Sequence, residues 1–134
     1  MNFKFTIFIL LAVLLNSCEI EEKNPEKAFQ LLFNSEVPKT VSVQEGYYWQ
    51  SAHFTHEHIA YLKLKVKRSW WENLVKNQKL SRTDFQYPRI SDKPKWFTPT
   101  IEFELFTRDD AYDQGSLYYI NKSTGDCYIH DILL

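Results

Sequence analysis

Residues 59–67 alternate without a break: Ala60, Leu62, Leu64 and Val66 fall on one side, and Tyr61, Lys63, Lys65 and Lys67 on the other. Successive side chains of a strand point to opposite faces, so the run predicts a β-strand with one buried face and one wet face. Such a strand belongs in an antiparallel sheet with a single covered side.

The remaining segments are read against that strand. Asn24-Pro25-Glu26 is a helix start, with an N-cap residue, a proline at the first position and an acid in the first turn. Ala28, Phe29, Leu31, Leu32 and Phe33 give that helix an apolar face, and Val37-Pro38 ends it. Residues 40–45 place Val41 and Val43 on one side of a second strand, which Gly46 then interrupts as a bulge or turn would. Ser69-Trp70-Trp71-Glu72 has the form of a capping box, and Trp70, Trp71, Leu74 and Val75 recur at helical spacing, so a helix ending near residue 80 is expected.

Residues 81–99 show neither period and hold Pro88, Pro94 and Pro99. Residues 100–107 predict a strand with Ile101, Phe103 and Leu105 inward and Glu102 and Glu104 outward. Residues 117–120 and 127–133 flank residues 121–126, a hairpin loop with Gly125 where a left-handed residue is needed. The order α-β-β-α-β-β-β predicts an α+β fold: an antiparallel sheet of about five strands with two helices on one face.

The first 17 residues do not fit that pattern. Lys4 is followed by an apolar run over residues 5–15, broken only by Thr6, and then by Asn16-Ser17-Cys18. Eleven helical residues reach about 16 Å against a hydrocarbon core of about 30 Å, so the run suits the apolar region of a secretion signal. Leu15-Asn16-Ser17-Cys18 resembles the lipobox of bacterial lipoproteins. The resemblance covers residues 1–18 and implies cleavage before Cys18, a diacylglyceryl thioether on its sulfur and acylation of its new amine. It implies a cell-envelope location, held on the membrane by the lipid at Cys18, on the periplasmic or surface side of an outer membrane.

The chain then divides into a signal peptide (1–17), a lipidated cysteine with a short acidic tether (18–24) and a single domain (25–134). From residue 59 onward the layout also resembles a loose group of small bacterial lipoproteins. They share a polar-faced strand, a short helix, a loop such as Trp96-Phe97-Thr98-Pro99, and a terminal hairpin with an aromatic strand, here Tyr128. That resemblance implies a fold and no activity.

Beyond residue 17 the chain carries 15 basic and 17 acidic groups, a balance without an electrostatic footprint for nucleic acid. With Cys18 lipidated, Cys127 has no disulfide partner and reads as a buried thiol in the last strand. His53, His56 and His58 lie within six residues, and His56 and His58 would share one face of an extended chain. With His130 from across the sheet they form a candidate zinc set. Tyr47, Tyr48, Trp49, Tyr87, Trp96 and Phe97 gather in the irregular stretches 46–56 and 81–99, where flat aromatics could bind a protein or glycan ligand. No nucleophile elbow, phosphate loop or cysteine–histidine signature is present, and no cofactor is implied. The expectation is a non-catalytic binding module. The alternatives are a metal-binding envelope protein and an immunity or inhibitor lipoprotein.

Overall fold

The computed structural model describes residues 18–134 except 53, 54, 56 and 85–89. Seven strands and two helices follow in the order β1 (Ile20–Glu22), α1 (Pro25–Phe33), β2 (Val41–Gln50), β3 (His58–Val66), α2 (Arg68–Asn77), β4 (Leu80–Thr83), β5 (Glu104–Arg108), β6 (Leu117–Asn121) and β7 (Asp126–Leu133). All pairings are antiparallel, in one sheet of order β1-β2-β3-β7-β6-β5-β4.

The expected α+β fold is present, with seven strands instead of five. The two additional strands are the sheet's edges. β1 lies where a solvated tether was expected, and Ile20 pairs with Gln50 and Glu22 with Tyr48. β4 continues directly from α2, turned by Lys79 at φ 51°.

α1 forms as its sequence predicts. Asn24 Oδ1 accepts from the Lys27 backbone N–H at 3.1 Å, Pro25 opens the first turn, and Asn34 closes the helix in the left-handed region. α2 departs from expectation at its start. Its N-cap is Lys67, without a side-chain cap, so Ser69 lies inside the first turn and forms no capping box. An Arg68–Glu72 ion pair at 2.7 Å links the first and second turns. Trp70 packs between the helices, with its ring 5.8 Å from Phe33 and 6.2 Å from Phe29.

β2 passes straight through Gly46, and the bulge lies two residues earlier. Val43 pairs with Leu64 and Glu45 with Lys63, so Gln44 is the extra residue. The bulge shifts the alternation, so Val41 and Val43 before it share the helix-facing side with Gly46 and Tyr48 after it. At Gly46 a Cβ would lie 2.8 Å from Pro25 Cα, so the glycine lets α1 rest directly on the sheet.

The sheet is covered on both faces. Under the helices a core forms from Phe29, Leu62, Leu64, Trp71, Leu74, Phe106, Tyr118, Ile120, Cys127 and Ile129. The other face was expected to be wet, but Tyr61, Leu105, Leu117, Tyr119 and Tyr128 are buried there. Phe97, fully buried, is the centre of this second core. It meets Tyr61, Tyr119 and Tyr128 edge-on at 5.2–6.0 Å. Both sides of β5 are therefore apolar: Leu105 points to the second core and Phe106 to the first. Ile101, expected inward, is 89% exposed, because the strand begins only at Glu104. Among the described residues no helix is long and apolar enough to cross a membrane.

Candidate functional site

The register gives the sheet two distinct ends. At one end lie Gln50, His58, Leu133, Leu117 and Arg108, with Cys18 just outside β1. At the other lie Val41, Val66, Asp126, Asn121 and Glu104, with the β6–β7 turn. β3 spans the two in nine residues, about 25 Å at the usual rise per residue.

The first end holds a buried charge cluster on the helix-facing side. Asp131, on β7, accepts hydrogen bonds from Arg108 Nη2 at 2.7 Å and from Tyr118 OH at 2.5 Å, and shares one with His58 Nε2 at 2.7 Å. These partners come from β5, β6 and β3, so one carboxylate ties four strands together. Burial alone would raise the Asp131 carboxyl. The His58 hydrogen bond, the Arg108 charge and the Tyr118 hydroxyl outweigh it and hold the group below the ordinary carboxylate range. The Tyr118 hydroxyl is pushed far up by burial and by the Asp131 charge, so it stays protonated. Tyr48 stacks on His58 at 5.7 Å and closes the cluster on the α1 side. Three polar groups converge on one carboxylate here, the pattern of a strand-end brace.

The second end carries a groove of about 570 Å³ between α2, the outer strands and the β6–β7 turn. Ligand pockets span roughly 300–1,000 Å³. Trp71, Val75, Phe106 and Ile120 line its apolar part, and Trp71 meets Phe106 edge-to-face at 5.2 Å. Two cations stand at the rim. Arg68 is paired with Glu72, and Lys122 is paired with Glu104 at 2.6 Å while lying 5.7 Å over the Phe106 ring.

Local sequence explains why the turn can border this space. Asn121 Oδ1 accepts from the Ser123 and Thr124 backbone N–H groups, folding the turn back on itself. Gly125, at φ 79°, accepts a hydrogen bond from Val66 N–H, and a Cβ there would lie 2.5 Å from Val66 O. Only glycine lets the hairpin approach β3 so closely.

The expected aromatic surface is largely interior. Tyr48 and Phe97 are buried, on opposite faces of the sheet. Tyr47, Trp49 and Trp96 are half-buried, and the Trp49 indole N–H donates to Glu19. Tyr87 lies outside the described residues. These side chains therefore do not form one groove. Tyr47, Trp96 and Phe97 pack in the second core, and Tyr48 in the first.

The expected zinc set is also divided. His53 and His56 lie outside the described residues. His58 faces the helices and bonds Asp131, whereas His130 faces the second core and stacks on Tyr61 at 4.6 Å. The sheet separates the two, so they cannot share a metal. Among the described residues no group of three or more His, Cys, Asp or Glu is placed to hold one. Burial lowers the His130 imidazole below its ordinary value, which keeps it neutral. Cys127 is fully buried among apolar neighbours, and burial raises its thiol. Comparison with protein-family models, curated proteins and solved structures finds no match, so the functional reading rests on the chain's own geometry.

Proposed function

We propose that this chain is a lipid-anchored cell-envelope protein acting as a non-catalytic binding module. Its ligand site is the groove under α2, and its ligand is a protein segment that inserts an apolar side chain. The lipid anchor rests on residues 1–18, where a short apolar run leads to Cys18. The observation that carries the binding site is the groove itself, an apolar recess of about 570 Å³ on a ridge of fixed secondary structure.

The lining favours protein over glycan. Sugars stack on exposed aromatic faces, but Trp71 and Phe106 are 4% and 8% exposed, and Lys122 already lies over the Phe106 ring. What they offer is an apolar floor, with rim ion pairs that can re-pair with a partner's charges. Interfaces of this kind concentrate their energy in one or two anchors seated in such a recess.

Two experiments test the two halves. Cys18→Ala should leave an uncleaved precursor or release the protein from membranes; a fully matured Cys18→Ala protein that still fractionates with membranes overturns the anchor. For the groove, a photo-crosslinking residue at Ser123 in intact envelopes should give a discrete protein adduct. Val75→Trp, which fills the recess, should abolish it. An adduct pattern indifferent to Val75→Trp, or one made of carbohydrate alone, overturns the site.

A further inference from the structure

The position of β1 says more than that the chain is anchored. If Cys18 bears the lipid, only Glu19 separates it from Ile20, which is already paired in the sheet. Consecutive Cα atoms are about 3.8 Å apart, so the acylated residue lies within roughly 8 Å of a fixed strand. A domain held so closely cannot tumble freely over the membrane. One end of it must stay at the lipid surface, and the register identifies that end as the one with Gln50, His58, Leu133 and Arg108.

That end is also where exposed apolar side chains collect. Among the described residues five large hydrophobics are exposed: Leu31, Ile101, Tyr112, Leu133 and Leu134. Three of them, Tyr112, Leu133 and Leu134, belong to the anchor end. Leu133 lies opposite His58, and Tyr112 lies in the loop between Arg108 and Leu117.

The loop and the last residues are tied together. Gln114 accepts from Leu134 N–H at 2.9 Å and donates to Leu134 O, and Ser116 Oγ accepts from Ile132 N–H at 3.0 Å. Asp110 accepts from the Tyr112 N–H at 2.9 Å, turning the chain so that Tyr112 stands 80% exposed. Tyrosine, with an apolar ring and a polar tip, suits the headgroup layer. Exposed Glu19, Asp109 and Asp110 lie at the same end as exposed Lys79, so there is no basic patch there to draw the contact to anionic lipid.

We infer that the sheet end bearing Tyr112, Leu133 and Leu134 rests on the lipid surface beside the acylated Cys18, which points the α2 groove away from the membrane. This rests on the lipid-anchor reading above. The lipid contact is shallow and interfacial: apolar tips and a tyrosine enter the headgroup layer while the acyl chains supply the affinity.

The test uses the acylated full chain in phosphatidylcholine–phosphatidylethanolamine vesicles containing a lipid with a nitroxide headgroup. A fluorescent maleimide is placed on Ala111→Cys or on Thr124→Cys. Cys127 is fully buried and does not compete for the label. Quenching at 111 should exceed that at 124 by five-fold or more, and Tyr112→Asp combined with Leu134→Asp should at least halve it. Equal quenching at the two sites in acylated, vesicle-bound protein overturns the orientation and leaves the anchor standing. Protein recovered without acyl chains overturns the anchor and the orientation together.

Discussion

Replacing Asp131 is the sharpest test of what holds the sheet end beside Cys18. Its side chain is 6% exposed and accepts from three strands, so Asp131→Ala leaves Arg108 and His58 facing a gap. Removing one member of a buried pair costs about 3–5 kcal/mol, because the other charge stays desolvated and unpaired. Arg108 is 21% exposed, and Asp113 Oδ1 lies 3.9 Å from its Nη1, so partial relief is available. The lower end of the range, about 3 kcal/mol, is expected. For a domain of this size that corresponds to roughly 12 °C in melting temperature.

Urea melts of a soluble 19–134 protein, which retains every described element, measure it. The same loss in an Arg108→Met background should be smaller by at least about 1 kcal/mol, since the stranded charge is gone. Asp131→Asn adds a pH arm. The folded carboxyl lies below its unfolded value of about 3.9, so its contribution is complete above that pH and is lost as pH falls through the folded value. The gap between wild type and Asp131→Asn should therefore close below about pH 4. A loss at pH 7 under about 1 kcal/mol, or a cycle with no coupling, would refute the bracing role.

Other positions separate further parts of the reasoning. Leu64 is fully buried, so Leu64→Ala should cost about 2–5 kcal/mol, while Lys65→Ala loses only an exposed pair with Asp126 and should stay within about 1 kcal/mol; equal losses would mean that the faces of β3 are exchanged. Gly46→Ala puts a Cβ 2.8 Å from the Pro25 backbone, so α1 must lift and a urea melt should show a loss of about 1–3 kcal/mol. His130 has a folded value below its unfolded one of about 6.5, so its stabilising share shrinks as pH falls from there. His130→Phe should lose less stability than wild type between pH 7.5 and 5.5, and parallel pH profiles would contradict a neutral buried imidazole.

Local chemistry was legible wherever a feature is completed within a few residues. Asn24-Pro25 caps a helix wherever that helix goes, and Asn121 with Gly125 makes its turn from its own side chain and backbone. The alternation of residues 59–67 predicts one buried and one wet face, and Tyr61 departs from it by being buried on the second. A covered face depends on what crosses it, and what crosses it is Phe97, from a proline-rich loop with no period. The bulge at Gln44 was misplaced onto Gly46 for a related reason. Glycine is a local signal for freedom of the backbone, but here it answers a tertiary need, the approach of Pro25. Ser69 fits a capping pattern that the chain does not use, because β3 runs on to Val66 and the helix begins at once.

The groove was illegible for a deeper reason. Trp71 and Val75 come from α2, Phe106 from β5, Ile120 from β6, and the rim from a turn after residue 121. They meet because α2 leaves β3 at the end far from Cys18 and returns toward the Cys18 end, where β4 begins. The helix thus crosses the outer strands obliquely, and its N-terminal half stands over a stretch of sheet that the β6–β7 turn borders but does not fill. No motif encodes such a site; it follows from a connection. The same connection fixes its direction, because a helix that starts at the far end opens its recess there. With the proposed lipid at Cys18 and the same end sealed by Asp131, the apolar recess stands where a partner in the surrounding space can reach it.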